Sequence, residues 1–141
     1  MIVPDVNVLV PLHRPGHVHH KRAQSWWAEF TQSGEPFTVP DVVWSGFLRI
    51  VTHPRILNPP STPQQASQFV EAMRSRGTYI EYSRHPRLLQ LFMTQCHEAG
   101  ATANLVTDAY IAAAAMSLGA SIVTFDRDFR KFDGLKVIEL A

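Results

Sequence analysis

The chain has 141 residues, of which 45% are hydrophobic and 18% are charged, and its formal net charge is +1. This composition excludes a disordered or fibrous protein and fits one globular domain over residues 1–141. The small net charge also excludes the uniformly basic surface of many nucleic-acid binders, so a polyanion could be held only where folding gathers basic side chains.

The N-terminal residues and the single cysteine indicate the cellular setting. Residues 1–10 contain Asp5 and no basic side chain, which is not typical of a secretory signal peptide. No apolar run approaches the roughly 18 residues that a membrane span needs. Cys96 has no partner within the chain for a disulfide. We therefore expect a cytoplasmic protein that does not enter a membrane.

Hydrophobic periodicity predicts alternating strands and helices from the N-terminus onward. In the first half of the chain, the pattern predicts a strand over residues 1–4, a brief helix from Asn7 and a helix over residues 18–30. A second strand over residues 37–39 is followed by a helix over residues 41–51, which ends before His53-Pro54.

The second half of the chain continues the alternation. Thr62 to Gln65 form a capping-box pattern with proline at the first helical position, which predicts a helix from there to residue 76. The remaining predicted elements are strands over residues 78–82, 121–125 and 135–140, and helices over residues 86–99 and 106–118. This order favours an α/β sandwich around a mainly parallel sheet.

Acidic residues fall at positions where α/β proteins bind ligands. Asp5 ends the first predicted strand, and Asp126 and Asp128 follow the apolar strand SIVTF, while Asp108 interrupts a helix that is otherwise apolar. Open α/β sheets bind ligands beyond the carboxyl ends of their strands. Taken singly, Asp5 or Asp126 could instead cap a helix, and Asp108 could interact with a helix dipole.

Together these carboxylates indicate a metal site. A carboxylate on a buried helix needs a counter-charge, and the bases closest to Asp108 in the chain are Arg87 and Arg127. A hard divalent cation keeps clustered carboxylates ionised, and oxygen-only ligands favour Mg²⁺ or Mn²⁺. Such an ion activates water and stabilises charge on phosphate oxygens, so the pattern predicts phosphodiester hydrolysis.

Three blocks of the sequence resemble one family. MIVPDVNVLV resembles the opening strand of PIN domains, and LVTDAYIAAAAMSLGASIVTFDRDFRKFDGLKVIEL resembles their closing half with its T-x-D-x-D-F segment. WSGFLRIVTHPRI is similar to a segment of the VapC toxin subgroup. The chain thus resembles a PIN-domain ribonuclease that is the VapC-type toxin of a type II toxin–antitoxin system.

The resemblance implies a fold, an activity and partners. The fold is an α/β three-layer sandwich in which a five-stranded, mainly parallel sheet is flanked by helices. The activity is Mg²⁺- or Mn²⁺-dependent cleavage of structured RNA, such as transfer or ribosomal RNA, by a homodimer that a VapB-like antitoxin binds. The implied site comprises Asp5 and Asp108 as principal metal ligands, Asp126 as third ligand, Asp128 as an assisting acid, and Asn7 and Thr124 as residues that orient them.

The third predicted helix departs from the family pattern. Most PIN domains carry an acid there, whereas this chain has Ser45 and Gly46. Asp41 is the nearest acid, and we interpret it as a helix cap that binds no metal. Ser45 could offer a neutral oxygen or hold a metal-bound water. Whether Asp41 or Ser45 replaces the missing acid, and how many ions bind, stays open at this point.

Two other functions share features with this sequence. A haloacid-dehalogenase-like phosphatase would need a second aspartate where Asn7 stands, and Asn7 cannot donate the proton. A PIN-like module with weak catalysis, which binds RNA or protein, is the other alternative.

His17, His19 and His20 form H-x-H-H, which we interpret as a polar helix start rather than a metal site, because no cysteine or second cluster accompanies it.

Overall fold

The computed structural model describes residues 1–141, which form six α-helices around a parallel sheet. The predicted α/β class is therefore confirmed. The strands are β1 (Ile2–Pro4), β2 (Ser121–Thr124) and β3 (Lys136–Glu139), and the helices are α1 (Val6–His13), α2 (His20–Ser33), α3 (Asp41–Val51), α4 (Pro63–Arg74), α5 (Leu88–Ala99) and α6 (Asn104–Ser117), with a 3-10 helix over Arg127–Lys131.

The sheet brings the two ends of the chain together. β2 lies between β1 and β3 and is parallel to both, with Ile2 opposite Ser121 and Val123 opposite Ile138. The carboxyl ends of parallel strands share one edge of a sheet. Residues that directly follow β1 and β2 are consequently neighbours, although more than a hundred positions separate them in the chain.

The prediction of a five-stranded sheet is wrong, since the sheet has three strands. The two remaining segments contribute single parallel bridges, from Phe37 to Ile2 on one side and to Tyr79 on the other. Pro36 and Pro40 flank the Phe37 segment. Proline has no backbone N–H to donate to a ladder, so pairing cannot extend far in either direction.

Several helix ends differ from the predicted ones. α1 begins at Val6 because Asp5 caps it, and α2 begins at His20, two residues later than predicted. The Thr62 capping box is present with both of its hydrogen bonds, but α4 ends at Arg74. No helix has the length and apolar character required to span a bilayer.

The interpretation of Asp41 as a side-chain cap is wrong. Pro40 occupies the cap position, and Asp41 is already the first helical residue, without a capping hydrogen bond. An acid in the first turn still interacts favourably with the helix dipole. Asp41 is exposed, so its carboxylate remains solvated.

The main hydrophobic core contains 22 buried residues and extends from Ile2 to Leu140. Trp26 and Trp44 belong to it, and each is less than 10% exposed. Fully buried alanines on α6, from Ala109 to Ala115, let this helix pack closely. The core therefore fixes α6, and with it Asp108, relative to the sheet.

Gly46 permits close contact between α3 and α1. A Cβ atom at this position would lie 2.9 Å from Cγ2 of Val6, the residue that follows Asp5. We expect Gly46→Ala to destabilise the fold by roughly 1 kcal/mol, because overpacking outweighs the gain in helix propensity. In a Val6→Ala background the clash is absent, so the same substitution should become stabilising. Urea denaturation of the wild type, the two single variants and the double variant measures this coupling, and additive effects would contradict it.

Candidate active site

Asp5 lies where β1 passes into α1. Its side chain is 6% exposed, and its Oδ1 accepts a hydrogen bond of 2.7 Å from the backbone N–H of Val6. The other oxygen, Oδ2, accepts a hydrogen bond of 2.8 Å from the hydroxyl of Thr124. Asp5 is thus both a helix cap and a fixed carboxylate at the edge of the sheet.

Thr124 ends β2 and is fully buried. Besides donating to Asp5, its hydroxyl oxygen accepts hydrogen bonds from the side-chain amide of Asn7 at 3.2 Å and from the backbone N–H of Asp126 at 2.9 Å. The Oδ1 atom of Asn7 accepts from the backbone N–H of Phe125 at 3.1 Å. These contacts hold the segment after β2 against the start of α1.

Asp126 and Asp128 flank the start of the 3-10 helix. The Oδ1 atom of Asp126 accepts a hydrogen bond of 2.8 Å from the backbone N–H of Asp128. Asp128 is exposed and forms an ion pair of 3.3 Å with Lys131 one turn later. Exposed pairs of this kind contribute little stability, so Asp128 remains free to act on a ligand.

Asp108 reaches the same region from α6. Ligand atoms of Asp108, Asp126 and Asp128 lie within 4.8 Å of one another. Asp5 is outside this group of three but lines the same cleft as Asp108 and Asp126. The structure therefore brings all four predicted acids to one edge of the sheet, three of them within reach of a single ion.

Burial, with repulsion from neighbouring acids, raises the pKa values of Asp5 and Asp108 in the absence of a cation. Burial, with repulsion from Asp126, raises the pKa of Asp5 to about 6 against the hydrogen bonds from Thr124 and Val6. Burial raises the pKa of Asp108 to about 7, and repulsion from the three other acids adds to this effect, with Lys131 opposing it. Such a site holds more negative charge than it can stabilise alone.

A hard divalent cation fits this donor set. Only carboxylate oxygens meet within 4.8 Å, with no nitrogen or sulfur donor among them. Oxygen ligands suit Mg²⁺ and Mn²⁺, and the positive charge would oppose the burial and repulsion that raise the pKa values of Asp5 and Asp108.

The acids open into a cleft of about 780 Å³ with a mixed lining. The predicted polar helix start is confirmed, since His19 is the cap residue of α2 and His20 its first residue. Sequence reasoning missed that His17 and His19 also lie on the wall of the cleft. The lining residues are Asp5, Val6, Asn7, Val10, His17, His19, Ile50, Asp108, Phe125, Asp126 and Arg127.

α3 contributes no acid to the cleft. Its lining residue is the apolar Ile50, whereas Ser45 is exposed on α3 and is not part of the lining. Asp41 is likewise outside the lining. Neither residue thus lies where it could replace the missing acid, and the cleft has an apolar wall on that side.

Comparison with known proteins shows the family of the chain. The PIN domain family model matches residues 2–135. Ribonuclease VapC31 of Mycobacterium tuberculosis is 37% identical over 138 residues, which cover 98% of this chain and 97% of the relative. Ribonuclease VapC25 of the same species is 38% identical over the same coverage.

Solved structures share the fold at low sequence identity. VapBC2 from Rickettsia felis, solved bound to a promoter DNA fragment, matches with a TM-score of 0.71 and 16% identity over 100% of both chains. VapC20 of M. tuberculosis, a sarcin–ricin loop cleaving toxin, matches with a TM-score of 0.66 and 16% identity over 92% of this chain and 93% of that one. The chain belongs to the PIN-domain family and, within that family, to the VapC ribonucleases.

Proposed function

We propose that this protein is the toxin of a type II toxin–antitoxin pair and hydrolyses phosphodiester bonds in structured RNA with the help of Mg²⁺ or Mn²⁺. The observation that carries the proposal is the convergence of Asp108, Asp126 and Asp128 within 4.8 Å, beside the buried Asp5. Transfer or ribosomal RNA is the substrate class that we expect. The relatives named ribonucleases support catalysis over the alternative of a weakly catalytic binding module.

Each polar residue of the site has a distinct proposed role. Asp108 and Asp126 would hold the ion together with Asp5, which lines the same cleft outside their group of three. Asp128, whose carboxylate lies within 4.8 Å of those of Asp108 and Asp126, would assist at the exposed side. When bound, the cation would lower the pKa of a coordinated water and stabilise negative charge on phosphate oxygens. Thr124 and Asn7 hold Asp5 and the Asp126 segment in place by the hydrogen bonds already described. Ser45 has no proposed role, because it is exposed on α3 and does not line the cleft.

The direct test is cleavage of total RNA by the purified protein. We expect cleavage with Mg²⁺ or Mn²⁺, loss of cleavage on addition of EDTA, and recovery when the cation is restored in excess. Sequencing the new RNA ends would identify the target. Cleavage that persists in EDTA would contradict the proposed use of a metal.

Asp126 and Asp41 form a matched pair for testing which acid completes the site. We expect Asp126→Ala to reduce cleavage at saturating Mg²⁺ by at least about tenfold, since it removes a ligand from the cluster. Asp41→Ala should keep its activity and lose only about 0.3–1 kcal/mol of stability, because Asp41 interacts with the α3 dipole alone. Equal losses of activity in two folded variants would mean that Asp41 serves the site after all.

The assembly is also a proposal. The exposed apolar side chains of Leu89 and Met93 on α5 support association of two copies, since each is more than half exposed. The anionic cleft supports capture of an arginine of a VapB-like antitoxin. Sedimentation of the protein alone and with a cognate antitoxin would measure its association with a second copy and with the antitoxin.

We also propose that the chain is one domain with three layers, which the contacts of α1 and α6 with β2 support. A cytoplasmic site of action is proposed as well, because the proposed substrate is RNA.

A further inference from the structure

Two aromatic rings stand beside the carboxylates in the cleft. His19 is exposed and stacks on Phe125 with ring centroids 4.4 Å apart and an angle of 17° between the planes. Phe125 directly precedes Asp126, and both rings line the cleft together with Asp5 and Asp108. The stacked pair and the acidic cluster therefore share one cavity.

Hydrogen bonds position the backbone that carries both rings. The backbone N–H of Phe125 donates to Asn7 at 3.1 Å, next to the Asp5 cap. On the other side, the backbone N–H of His19 donates to Nδ1 of His17 at 3.0 Å, and Nδ1 of His20 donates to the carbonyl of Pro11 at 2.7 Å. The start of α2, directly after His19, is thus tied to α1, and the stack is already formed without a ligand.

The chemistry of the stack differs from that of the acids. Carboxylates repel RNA phosphates unless a cation lies between them, so they cannot hold RNA by themselves. Stacking on an aromatic face provides affinity that requires no cation and tolerates any base. A base within a duplex has both faces covered by its neighbours, whereas an unpaired base can leave the strand and stack on protein rings.

We propose that the stacked rings of His19 and Phe125 bind one unpaired nucleobase of the RNA, beside the carboxylates that act on a neighbouring phosphate. This inference rests on the proposed ribonuclease function and names the substrate feature that the cleft selects. Arg127, which is exposed and lines the same cleft, would contact the backbone of the bound strand.

The test measures binding of labelled single-stranded RNA octamers by fluorescence anisotropy, in an Asp108→Asn background with EDTA so that the RNA stays intact. The probes are adenosine and uridine octamers and an octamer of abasic ribose phosphates with the same charge. We expect His19→Ala and His19→Leu to bind the base-containing octamers about tenfold more weakly, and His19→Phe to retain affinity, because base stacking is sequence-tolerant and needs an aromatic ring.

The abasic octamer separates stacking from a structural role. It should bind equally to the Asp108→Asn parent and to its His19→Ala, His19→Leu and His19→Phe variants, since it has no base that could stack on the rings. His97 is also exposed but lies on α5, outside the cleft. The control variant His97→Ala should therefore bind every octamer with the affinity of the parent. Unchanged affinity in His19→Ala, failure of His19→Phe to retain it, or an equal loss on the abasic octamer would each overturn the proposal. Because the readout is binding, these results are independent of whether the wild-type protein cleaves RNA.

Discussion

Replacing Asp108 or Asp5 with asparagine is expected to lower the rate of RNA cleavage by roughly two to three orders of magnitude, because bound cations supply several kcal/mol of charge stabilisation. Asparagine keeps the shape of the side chain but removes a full negative charge from the site. Single-turnover cleavage at saturating Mg²⁺ measures the effect. Asp133→Asn, at an exposed acid outside the cleft, is the control and should cleave normally.

The Asp108→Asn substitution should not destabilise the fold. Asp108 is surrounded by three other acids and partly buried, so the loss of its charge relieves repulsion in the metal-free protein. We therefore expect Asp108→Asn to raise the melting temperature in EDTA while it abolishes cleavage. If folded Asp108→Asn or folded Asp5→Asn cleaved RNA at the full rate, the replaced residue would not belong to the proposed metal site.

The stability of the metal-free protein should depend on pH through these two carboxyls. Folding raises the pKa of Asp5 from 3.8 to about 6 and that of Asp108 from 3.8 to about 7. The folded state therefore binds these protons more tightly than the unfolded state, and their contribution to stability is greatest at low pH. As the pH rises from about 4 to 8, we expect this contribution to fall by roughly 4 kcal/mol, after allowance for solvent screening at Asp108.

Comparison with the asparagine variants isolates this contribution from other titrating groups. The difference in unfolding free energy between the wild type and Asp108→Asn should grow with pH in EDTA. Added Mg²⁺ at pH 8 should stabilise the wild type, because a ligand that binds only the folded state favours it, and should stabilise the variant much less. A difference that is constant across the pH range would show that Asp108 has no raised pKa.

The acids were predictable because two simple rules locate them. Asp5 and Asp126 follow apolar strands, and parallel strands present their carboxyl ends at one edge. Asp108 was recognisable as a charge on an alanine-rich helix that must be buried. These signals are local, so the sequence pattern was sufficient.

The remaining parts of the site depend on tertiary contacts. The H-x-H-H motif has the composition of a helix start, and only the path of the loop before α2 places His19 on Phe125. Local spacing likewise indicated a strand around Phe37, but the flanking prolines limit it to single bridges. The residue that α3 presents to the cleft, Ile50, depends on how closely Gly46 lets that helix approach α1.

The hydrogen bond from Thr124 to Asp5 joins residues 119 positions apart. During synthesis, β1 exists long before its partner β2, so the carboxylates cannot assemble until nearly the whole chain has left the ribosome. A fragment that ends before β2 lacks Thr124, Asp126 and Asp128, so we expect it to have no nuclease activity.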